Sequence, residues 1–135
     1  KLYSKLIRCI LENKPFPLYE GSEHHQRSYT YVSDAVDGLV AALRNFDQCV
    51  GEILNIGTDV THTTAEAIET VQDIIGSEAI IETAPPRPGD QRKTHANIEK
   101  ARKLLNYHPT TTLREGVKEM VAWYREDIEG QVNLQ

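Results

Sequence analysis

Apolar residues recur at helical spacing in five stretches of the chain, and shorter apolar runs lie between these stretches. The helical stretches begin near Leu2, Val36, Ile68, Ile98 and Leu113, and their apolar residues return every three or four positions. The shorter runs predict strands at 16–19, 29–32, 52–57 and 80–83. Helices that alternate with short strands predict an α/β fold with about five helices.

Local signals predict where several of these helices begin and end. The segments 63–66 and 112–115 both read Thr-x-x-Glu, a capping box whose two side chains satisfy backbone N–H groups of the first turn. Gly76 is expected to end the helix that the first box opens. Asn106 is expected to end the next one, because asparagine tolerates the left-handed conformation of a helix stop.

Composition limits the classes of function. The chain has 135 residues with 39% hydrophobic content, which suits one domain with a core. A net charge of −5 argues against binding to nucleic acid or to an anionic membrane. No apolar run approaches the roughly 20 residues of a membrane span. The chain opens inside a helical pattern, so its true N-terminus is expected upstream, and residues 131–135 are expected to be frayed.

Cysteine and histidine positions do not suggest a metal site. Cys9 and Cys49 lie in unrelated contexts without ligand spacing, so free thiols in a reducing cytoplasm are expected. His24 and His25 are adjacent, and adjacent side chains on an extended segment point in opposite directions. We therefore expect a solvated loop at 21–26 and no metal cofactor.

Two segments carry candidate binding chemistry. Arg27 precedes a predicted strand, where its planar guanidinium could hold a phosphate; the alternative is a surface ion pair. The segment 85–92 contains three prolines and a glycine, which makes it a stiff loop. Such a loop could present Arg87 and Asp90 as a preorganised ligand clamp, and the alternative is a surface loop held by that Arg-Asp pair.

The segment 27–34, Arg-Ser-Tyr-Thr-Tyr-Val-Ser-Asp, resembles the Arg-aromatic-x-Tyr-Val-x-Asp segment of extended short-chain dehydrogenases/reductases. These are NAD-dependent nucleotide-sugar epimerases, dehydratases and decarboxylases. Three later segments resemble the same family in the same order: Asn55-x-Gly57, Arg-Pro-Gly-Asp at 87–90 and Asn-Tyr-x-Pro at 106–109. The resemblance extends from about residue 1 to residue 128 and corresponds to the C-terminal part of such an enzyme.

The resemblance implies roles for four residues. Arg27 and Arg87 would bind the diphosphate of the substrate, and Asp90 would accept hydrogen bonds from the ribose hydroxyls. Tyr19 would lie near the nucleotide base, although Glu20 stands where the family usually has glycine. Residues 1–130 would form the nucleotide-sugar-binding region, part of which could complete the Rossmann sheet of an N-terminal NAD-binding half.

The resemblance also implies chemistry that this chain does not supply. The family uses a glycine-rich turn for NAD and a tyrosine four residues before a lysine, and the sequence has neither. We therefore expect no catalytic residue here. The parent enzyme would be a homodimer that oxidises the C4 hydroxyl of a UDP-sugar with NAD and returns the hydride.

The alternatives are the UDP-glucuronate decarboxylase or dTDP-glucose 4,6-dehydratase branch, a non-catalytic sugar-nucleotide-binding module, or an unrelated small α/β domain.

Overall fold

The computed structural model describes residues 2–129, and side chains up to residue 126. The described residues form six α-helices: α1 (Leu2–Leu11), α2 (Val32–Arg44), α3 (Phe46–Cys49), α4 (Thr64–Ile75), α5 (Glu99–Leu105) and α6 (Leu113–Trp123). They also form four short strands: β1 (Phe16–Tyr19), β2 (Gln26–Arg27), β3 (His62–Thr63) and β4 (Ile81–Ala84). A 3₁₀ turn covers Ser22–His24, and a π-helical turn covers Tyr124–Glu129. The predicted α/β class is confirmed.

The chain divides into two compact units. The first contains the described residues up to 25, residues 63–92 and the described residues from 112 onward. The second contains residues 26–62 and 93–111. Each unit has its own hydrophobic core.

In the first unit, α1, α4 and α6 contact one another and enclose the core. Most of the apolar residues at helical spacing in these helices are buried, among them Leu6, Ile10, Ile68, Val71, Val117 and Val121. Leu2, Ile75 and Leu113 are partly buried. Both capping boxes are present, and Gly76 ends α4 with a φ of 81°. Strands β1 and β4 pair in parallel, with Phe16 opposite Ile81 and Tyr19 opposite Ala84.

In the second unit, α5 supplies the core with one buried face. Its members are Ile98, Ala101, Leu105 and the following Tyr107, and they pack against partly buried Ala41, Ala42, Leu54 and Ile56. Asn106 has a φ of 51°, which confirms the left-handed helix stop. The residue before α5 is Ile98, which supplies no side-chain cap, and the side chain of the preceding Asn97 accepts a hydrogen bond from the Glu99 N–H at 3.0 Å.

Helix α2 directs its small residues toward the core of its unit and its large apolar residues outward. Gly38 is buried, and Ala41 and Ala42 are partly buried. The opposite face carries what we name the α2 stripe: Val32, Val36, Leu39, Val40 and Leu43, of which Leu39 is 64% and Leu43 is 74% exposed. The predicted amphipathic face therefore exists, but in this structure its large residues contact solvent.

Two predicted strands are wrong. Residues 52–57 have no regular secondary structure, and Ile53 is 85% exposed whereas Leu54 and Ile56 contact the core. Residues 29–32 form no strand either, since β2 lies earlier, at 26–27, and α2 begins at Val32. A strand requires a hydrogen-bonded neighbour, and among the described residues neither segment has one.

Some further expectations have mixed outcomes. The last helical stretch carries Trp123 and Tyr124, whose rings we would expect to pack in the core. Tyr124 does so with 8% exposure, whereas Trp123 is 47% exposed. The tail 131–135 lies outside the described residues. Within the part of the chain that the structure covers, every helix is too short or too polar to cross a bilayer.

Candidate functional site

A cleft of about 440 Å³ lies in the first unit, beyond the carboxyl ends of β1 and β4. Because the two strands are parallel, the loops that follow them leave the sheet at the same edge. The Glu20 N–H donates to the carbonyl of Ala84 at 2.9 Å and extends the pairing to the start of both loops. The volume lies within the range of small-molecule sites, and this edge of an α/β sheet is where such sites form.

The loop after β4 forms one wall of the cleft through a tight turn at 87–90. The Asp90 N–H donates to the carbonyl of Arg87 at 3.3 Å, Pro88 occupies the second position, and Gly89 has a φ of 79°. Proline in the second place and a positive φ in the third are the features of a type II turn. The turn places the side chains of Arg87 and Asp90 on the cleft.

The loop after β1 forms the opposite wall. Gly21 has a φ of 78°, which lets the chain bend directly into the 3₁₀ turn Ser22–His24. Ser22 is buried, and its carbonyl accepts the N–H of His25 at 3.0 Å. Tyr19, the last residue of β1, lines the cleft with its ring 40% exposed.

One side-chain contact joins the two walls. The imidazole Nδ1 of His25 lies 3.2 Å from Oδ2 of Asp90. The side chain of His25 is 18% exposed and that of Asp90 is 30% exposed, so the pair is partly shielded from water. The expectation of a solvated loop at 21–26 is therefore wrong for His25, although it holds for His24, whose side chain is 84% exposed.

The cleft combines groups that suit a nucleotide. Arg87 and Arg92 supply positive charge, Asp90 supplies hydrogen-bond acceptors, and Tyr19 supplies an aromatic face. Guanidinium groups bind phosphates through paired hydrogen bonds, carboxylates accept from sugar hydroxyls, and aromatic rings pack on bases. Three of the four site residues predicted from the sequence, Tyr19, Arg87 and Asp90, are thus brought together.

Two cleft residues were missed. Arg92 belonged to the stiff loop but had no motif to single it out, whereas His25 was dismissed with its neighbour as a solvated histidine. What identifies His25 as a cleft residue is its contact with Asp90, 65 positions further along the chain, and sequence spacing cannot show such a contact.

The fourth predicted residue, Arg27, lies in β2 of the second unit. The residue is half-buried, and its guanidinium donates to the backbone carbonyl of Gln26 at 2.9 Å. Its role toward a ligand stays a prediction from the sequence.

The structure also locates the side chains that could bind a metal or form a disulfide. Among residues 2–126, no group of three or more His, Cys, Asp or Glu side chains is arranged to hold a metal ion. Cys9 and Cys49 are free thiols, one in each unit.

Comparison with known proteins assigns the family. Residues 1–120 match the family model described as GDP-mannose 4,6 dehydratase. A UDP-glucuronic acid decarboxylase 1 of Arabidopsis thaliana is 35% identical over 128 residues, which are 95% of this chain and 28% of the relative. A UDP-glucuronate 4-epimerase of Thermodesulfobacterium geofontis is 33% identical over 126 residues, which are 93% of this chain and 38% of the relative.

The fold is shared with a solved structure as well. The crystal structure of the UDP-glucuronic acid 4-epimerase from Bacillus cereus, in complex with UDP-glucuronic acid and NAD, superposes with a TM-score of 0.87 at 31% identity. The alignment covers 93% of this chain and 40% of that one, so the chain spans well under half the length of its relatives. By sequence and by fold, the chain belongs to the GDP-mannose 4,6-dehydratase family, the NAD-dependent epimerases and dehydratases of the extended short-chain dehydrogenase/reductase class.

Proposed function

We propose that this chain is the nucleotide-sugar-binding region of an NAD-dependent UDP-sugar 4-epimerase. The observation that carries the proposal is the cleft at the ends of β1 and β4, which gathers Tyr19, Arg87 and Asp90 from segments more than 60 positions apart. The relatives named above include a 4-epimerase bound to a UDP-sugar, and the substrate class of the proposal follows that complex.

Each cleft residue has a distinct proposed role. Arg87 binds the diphosphate, because two negative charges are costly to take out of water without a cationic partner. Asp90 accepts hydrogen bonds from the ribose hydroxyls, which only an acceptor-rich side chain can pair in this way. Tyr19 contributes its ring to the nucleotide base. Arg27 is proposed as a second ligand of the diphosphate on the strength of its motif alone.

The reaction itself requires the rest of the full-length protein. The 135 residues contain no glycine-rich turn for a pyrophosphate and no tyrosine followed four positions later by lysine, so these residues do not fit an NAD site. We assign substrate binding to this chain and assign NAD and the proton-transfer groups to an N-terminal half. A cytoplasmic location and a homodimeric full-length protein belong to the same proposal.

The alternatives within the family differ in the product they form. A decarboxylase releases CO₂ from UDP-glucuronate, a 4,6-dehydratase eliminates water from dTDP-glucose, and a non-catalytic binding module turns over neither. The test is to incubate the full-length protein and NAD with UDP-glucuronate, UDP-glucose and dTDP-glucose separately and to identify each product by NMR. A 4-epimer of a UDP-sugar supports the proposal. Binding of UDP-sugars without any turnover favours the module instead.

A further inference from the structure

The His25–Asp90 contact indicates which imidazole nitrogen is the hydrogen-bond donor. An ionised carboxylate can only accept hydrogen bonds, so Nδ1 of His25 must carry the hydrogen that it shares with Oδ2 of Asp90 over 3.2 Å. In the neutral ring, Nε2 is then the unprotonated nitrogen. The donor in this pair is therefore a defined atom, and a substitution can imitate or remove it.

The backbone of His25 is held on both sides. Its N–H donates to the carbonyl of Ser22 at 3.0 Å, and Ser22 is itself buried. Its carbonyl accepts from the N–H of Thr64 at 2.9 Å and from the Thr64 hydroxyl at 3.4 Å, at the first turn of α4. His25 is thus anchored to a long helix, whereas Asp90 lies on an exposed four-residue turn.

An anchored donor facing a carboxylate on an exposed turn restricts how that carboxylate is oriented. The side chain of Asp90 has two torsions, and the bond from Nδ1 of His25 favours one arrangement of its carboxylate before any ligand arrives. Recognition of a sugar diol needs such preorganisation, because each misdirected oxygen loses a hydrogen bond.

We propose that His25 is a positioning residue for ribose recognition: its Nδ1–H orients the carboxylate of Asp90 toward the hydroxyls of a ribonucleoside diphosphate. The inference rests on the proposed function, in which Asp90 binds the ribose. It adds a specificity that the proposed function does not contain, namely that the cleft selects ribose over a sugar without hydroxyls through the contact between His25 and Asp90.

A positioning role can be separated from a merely structural one. If His25 only tied the two loops together, its loss would distort the whole cleft and weaken every nucleotide alike. If it orients Asp90, its loss weakens UDP but leaves 2′,3′-dideoxy-UDP, which lacks both hydroxyls, nearly unaffected. The informative quantity is therefore the dissociation constant of 2′,3′-dideoxy-UDP divided by that of UDP, which we call the ribose ratio.

The experiment compares His25→Leu with His25→Asn in the full-length protein, by calorimetric titration with UDP and with 2′,3′-dideoxy-UDP. Asparagine places an N–H donor where Nδ1 lies, and leucine has nearly the same branched shape without a donor. The parent protein should show a ribose ratio of roughly 10 or more, since hydrogen bonds to a charged group are strong. His25→Leu should lower that ratio about fivefold, and His25→Asn should keep it within about twofold of the parent.

Two control variants show whether a negative result concerns His25 or the ribose role of Asp90. His108→Leu, at a histidine of the second unit that pairs with Asn106 rather than with Asp90, should leave the ribose ratio unchanged. Asp90→Ala should reduce the ratio to about 1, which tests the proposed function independently of His25. A parent protein that already shows a ratio of 1, or that does not bind UDP, overturns the ribose role of Asp90 and this inference together.

A folded His25→Leu variant with the parent's ribose ratio overturns the role of His25 and leaves the proposed function intact. Should that variant not fold, a long-range ¹H–¹⁵N spectrum of the parent protein decides the matter. A proton on Nδ1 of His25 supports the inference, and a proton on Nε2 alone overturns it.

Discussion

The carboxylate of Asp34 accepts the backbone N–H of Thr111, 77 positions further along the chain, at 3.1 Å. Its other oxygen accepts the N–H of Thr110 at 3.2 Å, and Asp34 is only 6% exposed. A charged side chain in the first turn of α2 therefore satisfies two backbone donors of a segment that has no regular secondary structure. These two bonds give the aspartate at this position a structural role.

Loss of the Asp34 carboxylate should destabilise the second unit. Asp34→Asn retains one acceptor oxygen and leaves one N–H without a partner, which should lower the free energy of unfolding by about 1–3 kcal/mol. Asp34→Ala removes both acceptors and should lower the free energy of unfolding further. Urea unfolding monitored by circular dichroism measures the change.

The control is Asp37→Asn, at an exposed position of the same helix, whose free energy of unfolding should stay within about 0.5 kcal/mol of the parent value. Equal stability of Asp34→Asn and Asp37→Asn would contradict the account.

Gly38 lets α2 approach the core of its unit closely. A Cβ at this position would lie 2.5 Å from Cγ2 of Ile56 and 3.1 Å from the ring of Tyr107. Gly38→Ala should therefore destabilise the protein by roughly 1–3 kcal/mol through overpacking, although alanine is the better helix former. In an Ile56→Ala background only the 3.1 Å approach to the Tyr107 ring remains, so the same change should cost clearly less than in the parent protein. Additive effects of the two substitutions in thermal unfolding would exclude the clash.

Tyr107 should make stability fall at alkaline pH. Burial of the phenol, together with the negative charge of Asp34, raises the pKa of Tyr107 above its usual value near 10. The folded state then holds the phenolic proton more tightly than the unfolded chain does. This tighter binding of the proton stabilises the folded state fully below about pH 10, and the stabilisation is lost as the pH rises toward the folded-state pKa.

Tyr107→Phe removes the titrating group, so its free energy of unfolding should decline less steeply between pH 9 and pH 11 than that of the parent. Tyr19→Phe, at a ring that is 40% exposed, serves as the matched control and should follow the parent curve. Parallel curves for the parent and Tyr107→Phe would show that the phenol does not contribute.

The α2 stripe should make the 135-residue chain self-associate when it is prepared alone. Large apolar residues repeat along one exposed face of this helix, with Leu39 at 64% and Leu43 at 74% exposure, and such faces recruit other surfaces. Sedimentation at high concentration should show dimers or larger species, and an apolar dye should bind.

A double change, Leu39→Glu with Leu43→Glu, should shift the chain toward monomer. A single charge at Ile80, which is exposed in the first unit, should not have this effect. A monomeric parent chain that binds no dye would contradict the prediction.

Local chemistry made much of the fold predictable. Capping boxes, the helix stop at Asn106 and the buried faces of α4 to α6 depend on residues within a few positions of one another, and all of them appear in the structure. The errors concern partners that are distant in the chain. A run such as 52–57 becomes a strand only if a neighbour pairs with it, and helical periodicity marks an apolar face of α2 without saying what covers it.

The site residues likewise differ in whether local sequence or a distant contact places them. Arg87 and Asp90 were predictable because Pro88 and Gly89 between them specify a turn that holds both side chains on one surface. The place of Tyr19 beside them follows from parallel pairing of β1 with β4, which no local pattern states. The contact of His25 with Asp90 needs both loops to be in place and could only be read from the structure.

In the proposed site, Arg87 and Asp90 act on different parts of one nucleotide. A guanidinium can neutralise a diphosphate and pair with its oxygens, whereas a carboxylate can only accept hydrogen bonds and repels phosphate. Substitutions of the two residues should therefore have different effects on affinity when ligands with and without the diphosphate are compared. Arg27 is predicted to behave like Arg87.

The most direct test is calorimetric titration of the full-length protein and its Arg87→Ala, Arg27→Ala and Asp90→Ala variants with UDP and with uridine. Each arginine variant should bind UDP roughly ten- to a hundredfold more weakly and bind uridine almost as the parent does. Asp90→Ala should weaken UDP and uridine alike. Arg114→Ala, which removes a surface contact with Asp73, should change neither. If folded arginine variants bind UDP as tightly as the parent protein does, the arginines are structural and the proposed diphosphate site is wrong.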